Sequence, residues 1–177
     1  QDEAALQTLE QLDASGDLNS RGLELMARLC QKLGRSEQLR ALGPRLLSAK
    51  ELPEEKVNEL LAQVRLEEIR VAGERADASQ LEKAWSDLPR AVRKLPQSII
   101  TFARAAMACR DHPGAERVLR ELIDETGDTA AVRAYGDLVL PDPLAPLDRA
   151  ETWLRKRPED PDLLASCARL CLRAELF

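Results

Sequence analysis

The sequence predicts an all-α chain built from stacked helical hairpins, and three observations carry that expectation. The tetrapeptide Ala-Arg-Leu-Cys occurs twice, at Ala27–Cys30 and Ala168–Cys171. Around it runs a fixed spacing: an apolar residue four before a small one, another directly before it, and an apolar or sulfur residue three after. That spacing recurs at Ile99, Phe102, Ala103, Ala106 and at Val132, Tyr135, Gly136, Val139. On a helix these positions share one face, with a small residue where a neighbouring helix must come close. The copies start at Leu23, Ile99, Val132 and Leu164, separated by 76, 33 and 32 residues. The wide first interval is about twice the others, which predicts a degenerate copy inside it.

A hairpin period in the low-to-middle thirties is the mark of tetratricopeptide repeats. The expected architecture is therefore a tetratricopeptide-like α-α superhelix of nine to ten helices, spanning residues 1–177 as a single domain. Composition agrees. The chain is 44% hydrophobic, yet has only two tryptophans, one tyrosine and two phenylalanines. Ala, Leu, Glu and Arg, good helix formers, dominate. Runs of β-branched residues are few and short.

The elements follow in order. Asp2–Ala14 has apolar residues at Ala5, Leu6, Leu9 and Leu12 and stops at Ser15-Gly16-Asp17. Asn19 or Ser20 caps the next helix, which runs to about Leu33. Ser36 caps a partner with Leu39, Leu42, Leu46 and Leu47 inward, and Pro44 predicts a kink or early break. Glu51-Leu52-Pro53-Glu54-Glu55 reads as a helix start, with Pro in the first turn and acids at the positive end of the helix dipole. The long helix that follows, to about Arg75, uses Val57, Leu60, Leu61, Val64 and Ile69. It is the first helix of the degenerate copy, where Arg65 and Glu68 break the small-residue pattern. Asp77 caps a short helix carrying Leu81, Ala84, Trp85 and Leu88, and Arg90–Leu95 forms one irregular turn. Pro96–Arg110, Ala115–Glu125, Ala130–Val139 and Leu147–Arg157 are the next helices, with Asp111-His112-Pro113-Gly114 as a tight turn. The last helix uses Leu170, Leu172, Leu176 and Phe177, which nothing later in the sequence covers. That predicts a fragment of a longer chain or a second copy supplying the cover, since solenoids need capped ends.

Charge and cysteine content narrow the function classes. The net charge is −5, with no basic excess and few stacking aromatics, which argues against nucleic-acid binding. No apolar run approaches the roughly 20 residues that span a bilayer, and Gln1 opens into an acidic amphipathic stretch rather than a signal peptide. Cys30, Cys109, Cys167 and Cys171 form no CxxC pair, and mostly take core positions as small hydrophobes. Disulfides and a metal site are not expected, and a reducing compartment suits the set. The lone histidine, His112, reads as a solvated turn residue. No nucleophile has a positioned base beside it, and no Gly-rich phosphate loop occurs. The expectation is a non-enzyme with no cofactor.

The residue directly after the small one faces the concave groove of a tetratricopeptide array. It is Arg28, Arg104 and Arg169 in three copies and Asp137 in the fourth. Arginines lining one groove of an acidic chain suit a carboxylate-bearing partner through forked, charge-assisted hydrogen bonds. The competing expectation is that these arginines pair with neighbouring acids. Trp85 and Trp153, among apolar neighbours, read as core.

Two stretches resemble a known family. Leu81–Arg93 carries a tryptophan ahead of a Leu-Pro-Arg segment, at Trp85 and Leu88–Arg90. Ala150–Phe177 carries Trp153-Leu154 followed by the Pro158–Pro161 turn. Both look like the C-terminal domain of HemY proteins, and the likeness extends loosely over most of the chain. The resemblance implies a protein-interaction scaffold linked to late protoheme biosynthesis. Haem-biosynthesis enzymes would be its partners, and two membrane helices ahead of the repeats would hold it at the bacterial inner membrane, with the domain facing the cytoplasm. It supplies no catalytic residues. The alternatives are a haem or porphyrin carrier using the arginine-lined groove, an assembly scaffold unrelated to haem, and a module that dimerises through its C-terminal end.

Overall fold

The computed structural model describes residues 1–49 and 54–175. Among the described residues there are eleven helices and no strand. They are α1 (Asp2–Ala14), α2 (Ser20–Lys32), α3 (Ser36–Ser48), α4 (Glu54–Glu74), α5 (Ala78–Ser86) and α6 (Arg90–Arg93), then α7 (Pro96–Ala108), α8 (His112–Thr126), α9 (Thr129–Tyr135), α10 (Leu144–Lys156) and α11 (Pro161–Arg173). The chain is all-α. The helix beyond the expected ten is α6, the irregular turn between Pro89 and Pro96.

Local chemistry sets most of the boundaries. Asn19, Asp77, Asp111 and Asp128 each accept a hydrogen bond from the amide three residues on, satisfying an otherwise orphaned donor of the first turn. Asp160 accepts from both Asp162 and Leu163. Gly114 leaves room for one of these caps. A Cβ built there would lie 2.1 Å from Asp111 Oδ2, so any side chain would displace the capping carboxylate.

Several expectations change. α3 begins at Ser36 itself, with Arg35 in the cap position and no side-chain cap. No early break occurs at Pro44, because Leu42 and Leu46 on either side are 3% and 0% exposed and their burial holds the segment helical. Leu47, expected inward, is 65% exposed. His112 and Pro113 do not form a turn. They open α8, where proline's missing N–H costs no hydrogen bond. α9 is shorter than expected, closing at Gly136, and Val139 is exposed. α10 starts three residues early at Leu144, whose amide is met by Asp142 Oδ1 at 3.0 Å. Leu170, expected bare, is buried against the rest of the core. The proposed helix start at Glu51-Leu52-Pro53, the side chain of Val57, and Leu176 and Phe177 lie outside the described residues.

The core forms two clusters. One joins Leu6 and Leu9 of α1 to apolar residues of α2 and α3 and to Leu60 and Val64 of α4. The other starts at Ile69 and Ala72 of α4 and runs through α5, α7, α8, α9 and α10 to α11. α4 belongs to both. Consecutive helices pack in pairs, while α2, α4, α7, α9 and α11 also touch one another in sequence. That second row of contacts builds the site.

Candidate functional site

A constant count locates the equivalent positions in this row. Ala27 and Ala103, both fully buried, lie eight residues before Arg35 and Asp111, the caps of α3 and α8. Eight residues before Asp77, the cap of α5, is Ile69, also fully buried. The degenerate copy thus places a large residue where α2 and α7 place alanine, and the residue after it is Arg70. Pattern matching on small residues passes over Arg70. Distance to the following cap would have found it.

Gly73, one turn beyond Ile69, supplies the smallness that Ile69 lacks. A Cβ there would lie 2.8 Å from both Cα and Cβ of Ala105, so α4 and α7 cross in contact at that point. Over the crossing runs a surface groove of three adjoining cavities, of about 230, 330 and 360 Å³. Thr101 lines all three. Arg70 lines the first two, and Arg104 the second and third. Gln63 and Leu66 of α4 line the first cavity, toward α2 and α3, Gln97 of α7 lines the first and third, and Asp128 and Ala130 lie at the α9 end.

The groove's acids are committed. Glu67 and Glu74 both pair with Arg70, at 2.6 Å for Glu67, and these carboxylates hold the Arg70 guanidinium above even its ordinary basicity. Asp128 caps α9. The Thr101 hydroxyl donates to the Gln97 carbonyl at 2.8 Å and keeps its acceptor side open. Arg104 is exposed, and its guanidinium has no acidic partner within ion-pair distance among the described residues.

Of the three arginines named from the sequence, Arg104 alone lines these cavities. Arg28 pairs with Glu24 at 2.9 Å on its own helix. Arg169 lies against α9: its Nη2 donates to the Arg133 carbonyl at 2.9 Å, and its Nε is 3.4 Å from Asp137. Arg173 also donates to the Gly136 carbonyl, so the two arginines fasten α11 to the end of α9.

The other singled-out residues have structural surroundings. His112 is half-buried, and its Nδ1 accepts the Val139 amide at 3.2 Å, fixing the segment after α9 to the start of α8. Trp153 is buried edge-on to Tyr135 at 4.8 Å, and its indole N–H donates to Asp124 at 2.7 Å. Burial, and then Glu116, push the Tyr135 phenol far above its ordinary range. Trp85 is half-buried and stacks on Phe102 at 4.4 Å. All four cysteines are free. Burial raises the thiols of Cys30, Cys109 and Cys167, which keeps them protonated and poor as nucleophiles. No cluster of three metal-capable side chains occurs among the described residues, and none of their helices is long and apolar enough to cross a membrane.

No protein-family model, curated protein or solved structure matches this chain.

Proposed function

We propose that the chain is a tetratricopeptide-like solenoid acting as a non-catalytic scaffold, with protein partners held in the groove over α4, α7 and α9. The observation that carries this is the row of first helices. α2, α4, α7, α9 and α11 contact one another in sequence, and the cavities above them join through Thr101, Arg70 and Arg104. An open, elongated surface with mixed polar lining suits a segment of another protein better than an enclosed small substrate.

The HemY resemblance directs the choice of partner toward enzymes of late haem synthesis at the bacterial inner membrane. The test is binding of purified late-pathway enzymes to the immobilised domain, with Arg104→Glu and Thr101→Trp as groove variants. The scaffold reading expects saturable binding weakened at least tenfold by either variant. Binding indifferent to both would remove the groove from the account. Titration with haem and protoporphyrin addresses the carrier alternative: a saturable Soret shift, lost on replacing Arg28, Arg104 and Arg169 together by alanine, would put that reading ahead.

A further inference from the structure

We infer that the groove reads an acidic side chain on an extended peptide, and that Arg104 of α7 is the residue that reads it. This rests on the groove being a peptide-binding surface. Charge within the groove is unevenly matched. Arg70 already faces two carboxylates, Glu67 and Glu74, and has no need of a third. Asp128 spends its carboxylate on the α9 cap. Arg104 sits between these two committed ends, exposed, with no acidic partner of its own among the described residues. Beside it are Gln97 and Thr101, the latter with its proton already directed to a backbone carbonyl.

A forked guanidinium flanked by an amide donor matches a carboxylate, which accepts from several donors at once. The Glu67 and Glu74 carboxylates on the α4 side would repel a second acid placed one turn away. The expected ligand therefore carries one acid at this point, with neutral or basic residues toward α4. Neither Arg28 nor Arg169 takes part, since each is bound within its own neighbourhood.

The test uses the whole 177-residue chain, isotopically labelled and followed by NMR. The probe is the peptide acetyl-Lys-Ala-Glu-Ala-Ala-amide, and its control is the same peptide with Gln in place of Glu. The expected result is saturable shifts at the Thr101 and Gln97 amides and at the Arg104 Nε–H. The Gln peptide should bind at least tenfold more weakly, and Arg104→Met should abolish the difference while Arg28→Met leaves it. Equal binding of both peptides at the groove would overturn the carboxylate inference and leave the peptide groove standing. Shifts spread evenly over Arg28, Arg133 and Arg169 would show unspecific ion pairing and overturn it too. If neither peptide moves any groove resonance, the inference and the peptide-groove reading fall together.

Discussion

At the scale of single residues, burial alone does not say whether a side chain stabilises the fold. Ser98, in the first turn of α7, is 1% exposed and its hydroxyl has no hydrogen-bond partner among the described residues. A buried hydroxyl left unpaired carries its desolvation cost of about 1–3 kcal/mol without return. Ser98→Ala should therefore leave stability unchanged or raise it by up to about 1 kcal/mol, read from the urea midpoint. A loss of more than 1 kcal/mol would mean that the hydroxyl has a partner in solution. Trp153 is the opposite case, since its polar group is satisfied by Asp124 and its ring meets Tyr135 edge-on.

At the scale of elements, two helices invite measurement. α1 buries only Leu6 and Leu9 and is otherwise held by polar pairs: Asp2 with Lys32, Glu3 with Arg35, Glu10 with Gln38 and Asp13 with Arg45. Hydrogen bonds from Lys32 and Arg45 hold the Asp2 and Asp13 carboxyls below their ordinary range. A carboxyl depressed in the folded state stabilises above its unfolded pKa, and that contribution disappears as pH falls through the lower folded value. Protection from hydrogen exchange in α1, taken relative to the intrinsic rate at each pH, should thus fall on acidification below about pH 4, and in 1 M salt at neutral pH, before that of α7 or α8. A uniform fall across the chain would count against this. The second helix is α4, where a side chain at Gly73 would meet the Ala105 backbone. Gly73→Val should cost about 1–3 kcal/mol by forcing α4 and α7 apart, seen as a lower thermal midpoint.

The same scale shows what was legible in advance. The all-helical class and most boundaries could be read because caps and apolar spacing are local signals: Asn19, Asp77 and Pro96 act within one turn of themselves. Some expectations failed where packing overrode local chemistry, as at Pro44, whose flanking leucines are buried, and at Leu47, which faces outward; others failed over a local start, as at His112-Pro113 and Leu144. The groove was only partly legible. Arg104 was found from the residue beside a buried alanine. Arg70 was missed because Ile69 replaces the alanine that marked the position. The pairing of Arg28 with Glu24 follows from their i,i+4 spacing on one helix, whereas the hold of the α9 backbone on Arg169 depends on how α11 packs and on side-chain reach.

At the scale of the whole molecule, α4 is, among the described residues, the helix whose buried residues fall in both apolar clusters, with Leu60 and Val64 in one and Ile69 and Ala72 in the other. An unbroken α4 is then the mechanical link expected to make the halves unfold together. Gln63→Pro, placed in the interior of α4, removes a backbone hydrogen bond and costs about 3 kcal/mol or more. It should split a single denaturation transition into two when followed by circular dichroism, and a transition that stays single would assign the coupling elsewhere.

The displaced contact at Gly73 bears on how such a chain could be rebuilt. Where α2 and α7 place alanine at the buried count, α4 places isoleucine and moves its closest approach one turn along. Its neighbour α7 has Ala105 at the matching height. The hairpins are consequently not exchangeable parts. A chimaera carrying a second copy of the α7–α8 hairpin in place of α4–α5 would bring two surfaces together whose narrow points no longer coincide. Any averaged sequence designed from all the copies would erase the one irregular crossing over which the groove is formed.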